Sequence, residues 1–171
     1  MLRSMLVAIA SCNLLACSSS GDGTGSAAEL SSCGLRTSLG GAVSASFTGH
    51  DDVACLTQHS FDSGLDVDFV QPSSKITVTV TLEDVVEGET GEQYPAQVRV
   101  TSDAGTWQTD ACAMSLSEHR LLRTEASMIG ELRHYQVSGR GSCSEPLHAT
   151  SGLADTSVAE LEFRAQFTWR D

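Results

Sequence analysis

Residues 76–83 read Ile-Thr-Val-Thr-Val-Thr-Leu-Glu, an apolar residue at every second position with Thr or Glu between. Successive side chains of an extended strand point to opposite faces, so this order makes a ribbon with one apolar and one polar face. Wound as a helix, it would scatter the apolar residues around the axis. A longer run obeys the same rule: Leu161, Phe163, Ala165, Phe167 and Trp169 alternate with Glu162, Arg164, Gln166, Thr168 and Arg170. Shorter matches are Leu65-Val67-Phe69, Ala96-Val98-Val100 and Tyr135-Val137. The period is two, not 3.6. The apolar sets are expected to face inward and the Thr, Glu and Arg sets to face water.

Turn-forming residues separate these runs at 40–41, 49–52, 71–74, 87–91, 103–105, 139–141 and 151–152. Their spacing predicts about seven to nine short antiparallel strands. The predicted fold is therefore all-β: an antiparallel β-sandwich of jelly-roll or immunoglobulin-like type, with a small β-barrel as the alternative. No Cys-Trp-Cys pattern at immunoglobulin spacing is present, so that family is not assigned. Residues 114–132, MSLSEHRLLRTEASMIGEL, break the alternation and leave two options, a helical turn or an extended hairpin arm. A single domain is placed at 33–171, large enough to bury a core of its own. The chain is 40% hydrophobic and 19% charged, which excludes a disordered chain and a multi-span membrane protein. A formal net charge of -12 argues against nucleic acid as a partner.

The N-terminus carries a separate message. Arg3 precedes an apolar stretch beginning at Met5 and running, with interruptions, to Ala16. A positive start before an apolar run too short to span a bilayer reads as a secretory signal. The run ends Leu14-Leu15-Ala16-Cys17. This order resembles the lipobox of bacterial lipoproteins, over residues 1–17 only. The resemblance implies that residues 1–16 are a signal peptide, removed once diacylglycerol is attached to Cys17, which becomes an acylated N-terminus. A rival box ending at Cys12 would leave an apolar core of only about five residues, against the usual seven to fifteen. Ser18, rather than Asp, follows Cys17; in enterobacterial lipoproteins this implies sorting to the outer membrane. Residues 17–32 are rich in Ser and Gly and are expected to act as a flexible tether. The partner implied is thus a membrane, reached through the lipid anchor.

Four cysteines fall in the domain: Cys33, Cys55, Cys112 and Cys143. An even count in an exported domain favours disulfides, and no C-x-x-C spacing suggests zinc or redox chemistry. Three connectivities are possible. Cys33–Cys55 with Cys112–Cys143 is favoured, because each pair brackets one or two strand-length segments whose antiparallel return brings the ends together.

Catalytic, cofactor and metal sites are not expected. Of His50, His59, His119, His134 and His148, none has metal-ligand spacing. His50 lies in Gly49-His50-Asp51-Asp52, a combination able to bind a metal or place a general base, but also an ordinary turn. His119 and His134 read as surface or packing residues. Asp62, Asp66 and Asp68, and separately Glu83, Asp84, Glu87, Glu89 and Glu92, match no calcium-loop spacing and read as solvated acidic surface. There is no G-x-S-x-G nucleophile elbow and no Gly-rich segment opening a helix. Tyr94, Trp107, Tyr135 and Trp169 read as core residues, with a sugar-stacking platform as the rival and Trp107 the position to test. The function expected is a non-enzymatic binding or envelope-structural lipoprotein with a protein or glycan partner. The alternatives are a carbohydrate-binding module and a small hydrolase or protease inhibitor.

Overall fold

Every alternating run in the sequence is a strand in the computed structural model, which describes residues 32–49, 52–61, 64–128 and 130–170. The strands are β1 (Gly34–Gly41), β2 (Ala45–Gly49), β3 (Ala54–Phe61), β4 (Gly64–Gln71), β5 (Ile76–Glu83), β6 (Gly91–Ser102), β7 (Gly105–Ser127), β8 (Gly130–Cys143), β9 (His148–Ala149), β10 (Thr156–Val158) and β11 (Leu161–Arg170). No described residue is helical.

Strands β3 to β8 form an antiparallel meander, each paired with the next. The sheet then curls until β11 lies antiparallel along β8 over its whole length, Leu161↔Gly141 to Arg170↔Leu132. The other edge of β11 is shared. β1 pairs with its first half at Glu162–Arg164, and β3 meets its second half in one parallel pairing, Thr168↔His59. β1 then leaves to pair with β2 and β10. The architecture is one curled sheet, between a sandwich and a half-barrel.

The interior is lined by the apolar half of each strand. Ile76, Val78, Val80 and Leu82 of β5 are buried, as are Leu65, Val67 and Phe69 of β4, Val98 and Val100 of β6, and all five apolar residues of β11. The outer half of β11 is only partly open to water. Gln166 and Arg170 are exposed, but Glu162 and Arg164 are half-buried in cross-strand polar rows. Arg36 pairs with Glu162. Arg164 Nη2 lies 3.2 Å from Glu118 Oε2, which also accepts from Ser138 Oγ at 3.0 Å.

Three expectations are corrected. Residues 139–141 are not a turn but the middle of β8. Gly139 sits between Leu116 on β7 and Phe163 on β11, and a Cβ there would lie 2.8 Å from Phe163 Cε1 and 2.9 Å from Leu116 Cδ2. Glycine is used here to let two large side chains close over the backbone. Gly139→Ala is therefore expected to overpack this row and destabilise the domain by about 1–3 kcal/mol, read as a lowered urea midpoint. Second, the helical option at 114–132 is not taken: the segment is a long hairpin arm, with Ser127 paired to Gly130 around its tip. Third, the strands among the described residues number eleven rather than seven to nine, because short pieces such as β9 and β10 carry no alternation to read.

Candidate functional site

The four domain cysteines form two bridges, Cys33–Cys55 and Cys112–Cys143. The first lies where β1 gives way to β3 on the edge of β11, so it ties the seam at which the sheet closes on itself. Gln136, buried on β8, works at the same place: its Nε2 donates to Ser32 O at 3.3 Å and to Ala165 O at 2.9 Å. The second bridge joins directly paired residues of β7 and β8. Disulfides form and persist in oxidising compartments, so the pair indicates an extracytoplasmic location. Cys17, the tether up to residue 31, His50 and Asp62 lie outside the described residues.

A polar and aromatic grouping lies beside the β5–β6 loop, residues 84–90. His119 reaches it through a change of phase. β7 buries Met114 and Leu116, then gains an extra residue at Ser117, so inward-pointing positions shift from even to odd numbers. His119 is consequently 8% exposed and packs on Tyr135 and Trp169, with ring centroids 5.0 and 4.8 Å away. Both its nitrogens engage the loop backbone. Nδ1 lies 2.8 Å from Glu89 O, and Nε2 lies 3.3 Å from Gly88 N. A carbonyl can only accept and an N–H only donate, which sets the neutral tautomer with the proton on Nδ1. Burial pushes the His119 pKa below its ordinary value, opposed by the bond to Glu89 and the nearby Glu87 charge.

The loop is fixed at a second point. Arg133 Nε donates to Glu87 Oε1 at 2.6 Å and Arg133 Nη2 to Oε2 at 2.9 Å, a two-pronged pair. Those bonds, with one from Tyr135, hold the Glu87 carboxyl below its ordinary range against the cost of burial. Desolvation and the neighbouring Glu87 carboxylate in turn raise the Tyr135 phenol. Val85 completes the closure, its side chain buried in the core. Arg133 and Glu87 carried no sequence signal of a partnership: they are 46 residues apart and neither stands in a motif.

The remaining candidates are dispersed. Trp107 is fully buried, and its Nε1 donates to Ala154 O at 2.8 Å, which pins the 150–155 connection. Its phase differs from that of Cys112 because β7 carries a second irregularity, between the pairs Val98↔Thr109 and Ala96↔Cys112. Tyr135 and Trp169 are each 8% exposed and Tyr94 is half-buried, so the four aromatics do not form an exposed sugar-stacking row. Asp66 and Asp68 face outward from β4 but accept bonds from Thr81 and Thr79 at 2.7 and 2.6 Å. With Arg99 they line a shallow concavity of about 560 Å³. His148 lies 3.2 Å from Asp155 on the surface, and His134 Nδ1 lies 3.0 Å from Thr168 Oγ1. Glu83, Asp84, Glu89 and Glu92 are exposed. Among the described residues, no three His, Cys, Asp or Glu side chains converge to hold a metal.

Beyond the curled sheet projects the arm, where residues 120–126 are exposed. It presents Leu121, Leu122 and, at its tip, fully exposed Met128. The outer edge of β7 has no described strand partner beyond Leu116. Arg120, Arg123 and Glu125 on that stretch, and the bulges at Ser117 and Leu122, blunt it against edge-to-edge pairing. The sheet, its two disulfides and the clasped loop stand without a relative to compare: no family model, curated protein or solved structure matches this chain.

Proposed function

We propose that the protein is an exported lipoprotein, held to the cell envelope by an acylated Cys17, with a β domain that binds an envelope or protein partner without catalysing a reaction. The observation that carries the compartment is the pair of disulfides that uses all four cysteines of residues 33–171. The anchor rests on the order of Arg3, the apolar run, Leu14-Leu15-Ala16-Cys17 and the Ser/Gly-rich stretch after it. One acyl chain is a marginal anchor, whereas two or three hold firmly, so a lipidated Cys17 is sufficient attachment. Ser18 favours the outer membrane. Burial of Trp107, Tyr135 and Trp169 favours a protein partner over a glycan, because it removes the flat aromatic faces that sugars stack on.

Metabolic acyl labelling with detergent partitioning tests the anchor. Cys17→Ser is expected to abolish label and membrane association, while Cys12→Ser retains both. Label persisting in the Cys17 variant would refute the site.

A further inference from the structure

We propose that residues 88–90 are an acid-released latch, held to β7 by neutral His119 and let go when that imidazole takes a proton at Nε2. The geometry is specific. Nδ1–H donates to Glu89 O, so Nε2 carries the free lone pair, and that lone pair is what the Gly88 N–H donates to. A proton on Nε2 would set two N–H groups head to head across 3.3 Å. One of the loop's two backbone ties is lost at that step, and the new charge is left among aromatic rings.

Other groups facing the imidazole set how far the loop opens. Glu87 comes from the loop itself, Tyr135 and Arg133 from β8, and uncharged Trp169 from β11. On β7, Glu118 and Arg120 pair with each other, and Arg164 of β11 neighbours Glu118. The Glu87 carboxylate attracts the incoming proton, but it is already bound twice by Arg133 and its own pKa is held below the ordinary 4.5. Held below that value, it stays ionised over the range from pH 7.5 to 5. The Glu87–Arg133 pair therefore acts as the hinge, and opening is confined to the residues after it. Gly88, with a φ of 77°, supplies the pivot. Opening frees both His119 nitrogens from the loop backbone and admits water to a ring that is 8% exposed when the latch is shut.

The direction with pH follows from burial. With the latch open, His119 titrates near its ordinary 6.5; shut, it titrates lower. Between those values the open form binds the extra proton. The hold is complete above about pH 6.5 and is lost as pH falls toward the lower value.

Amide hydrogen exchange on the full chain, read by NMR from pH 7.5 to 5 and corrected for intrinsic rates, is the test. Protection at Gly88 is expected to fall by up to about tenfold for each unit by which burial depresses His119, with a midpoint matching the titration of the His119 ring protons. The Leu147 amide, which donates to Thr156 O far from the latch, is the internal comparison and keeps its protection. In His119→Gln the side chain can still accept from Gly88 and donate to Glu89 but cannot titrate, so Gly88 protection no longer varies with pH. Constant Gly88 protection in the native protein, or an unchanged pH response in His119→Gln, overturns the latch. Should His119→Gln fail to fold, separate midpoints for Gly88 and the His119 ring in the native protein overturn it equally.

Discussion

Removing either disulfide is expected to cost the domain about 3–4 kcal/mol. The bridges close loops of 22 and 31 residues, and loop-closure entropy for such lengths gives that range, as an upper figure. Domains of this size are stable by only about 5–15 kcal/mol in total, so losing both removes much of it. The two losses should not look alike. Cys112–Cys143 joins residues already paired in the β7–β8 ladder, which the neighbouring pairings continue to hold. Cys33–Cys55 crosses the seam on β11, where the described pairing with β3 is Thr168↔His59. Cys33→Ala/Cys55→Ala is therefore expected to loosen the closure locally. Amide exchange along β3 should rise more than along β7, and the urea midpoint should fall for both double variants. Equal, uniform loss of protection would mean that the seam is not the weak point.

Phe163→Ala is expected to cost about 3–5 kcal/mol. Phe163 is fully buried, its ring centroid is 6.1 Å from that of Phe69, and it lies over Gly139 on the neighbouring strand. How far Leu116, which closes over the same glycine, and Phe69 move into the space sets where in that range the cost falls. Gln166→Ala, on the exposed side of the same strand, should change stability by less than about 0.5 kcal/mol. Urea unfolding of the two variants beside the parent measures both. Comparable effects would mean that β11 presents its opposite face to the core.

Much of the fold is legible because β4, β5, β6 and β11 keep an uninterrupted period of two where they face the core. Their β-branched and aromatic residues also favour a pleated, half-buried surface. Reading fails where the phase slips. β7 carries irregularities near Asp110, Ser117 and Leu122, and each moves the inward positions by one. Trp107, Met114 and His119 all end up inside, yet no single alternation links them. Gly139 and Gly141 misread as a turn for a related reason. A glycine can mark a bend or a close approach, and only what stands opposite decides which: Leu116 and Phe163 at Gly139, the Ala113 carbonyl and Met114 at Gly141. The clasp on the 84–90 loop is less legible still. Glu87 reads as one more acid in an acidic stretch until the curl of the sheet brings Arg133 beside it.

An exported, lipid-anchored β domain closed by two disulfides, as proposed, leaves a signature in mass spectrometric peptide mapping of protein taken from the producing cell's membrane fraction, alkylated and digested without reduction. The expected result is one linked pair of peptides containing Cys33 and Cys55, a second containing Cys112 and Cys143, and an N-terminal peptide beginning at Cys17 with acyl mass. Four alkylated thiols, a peptide joining Cys33 to Cys112 or Cys143, or an unmodified Cys17 would contradict it.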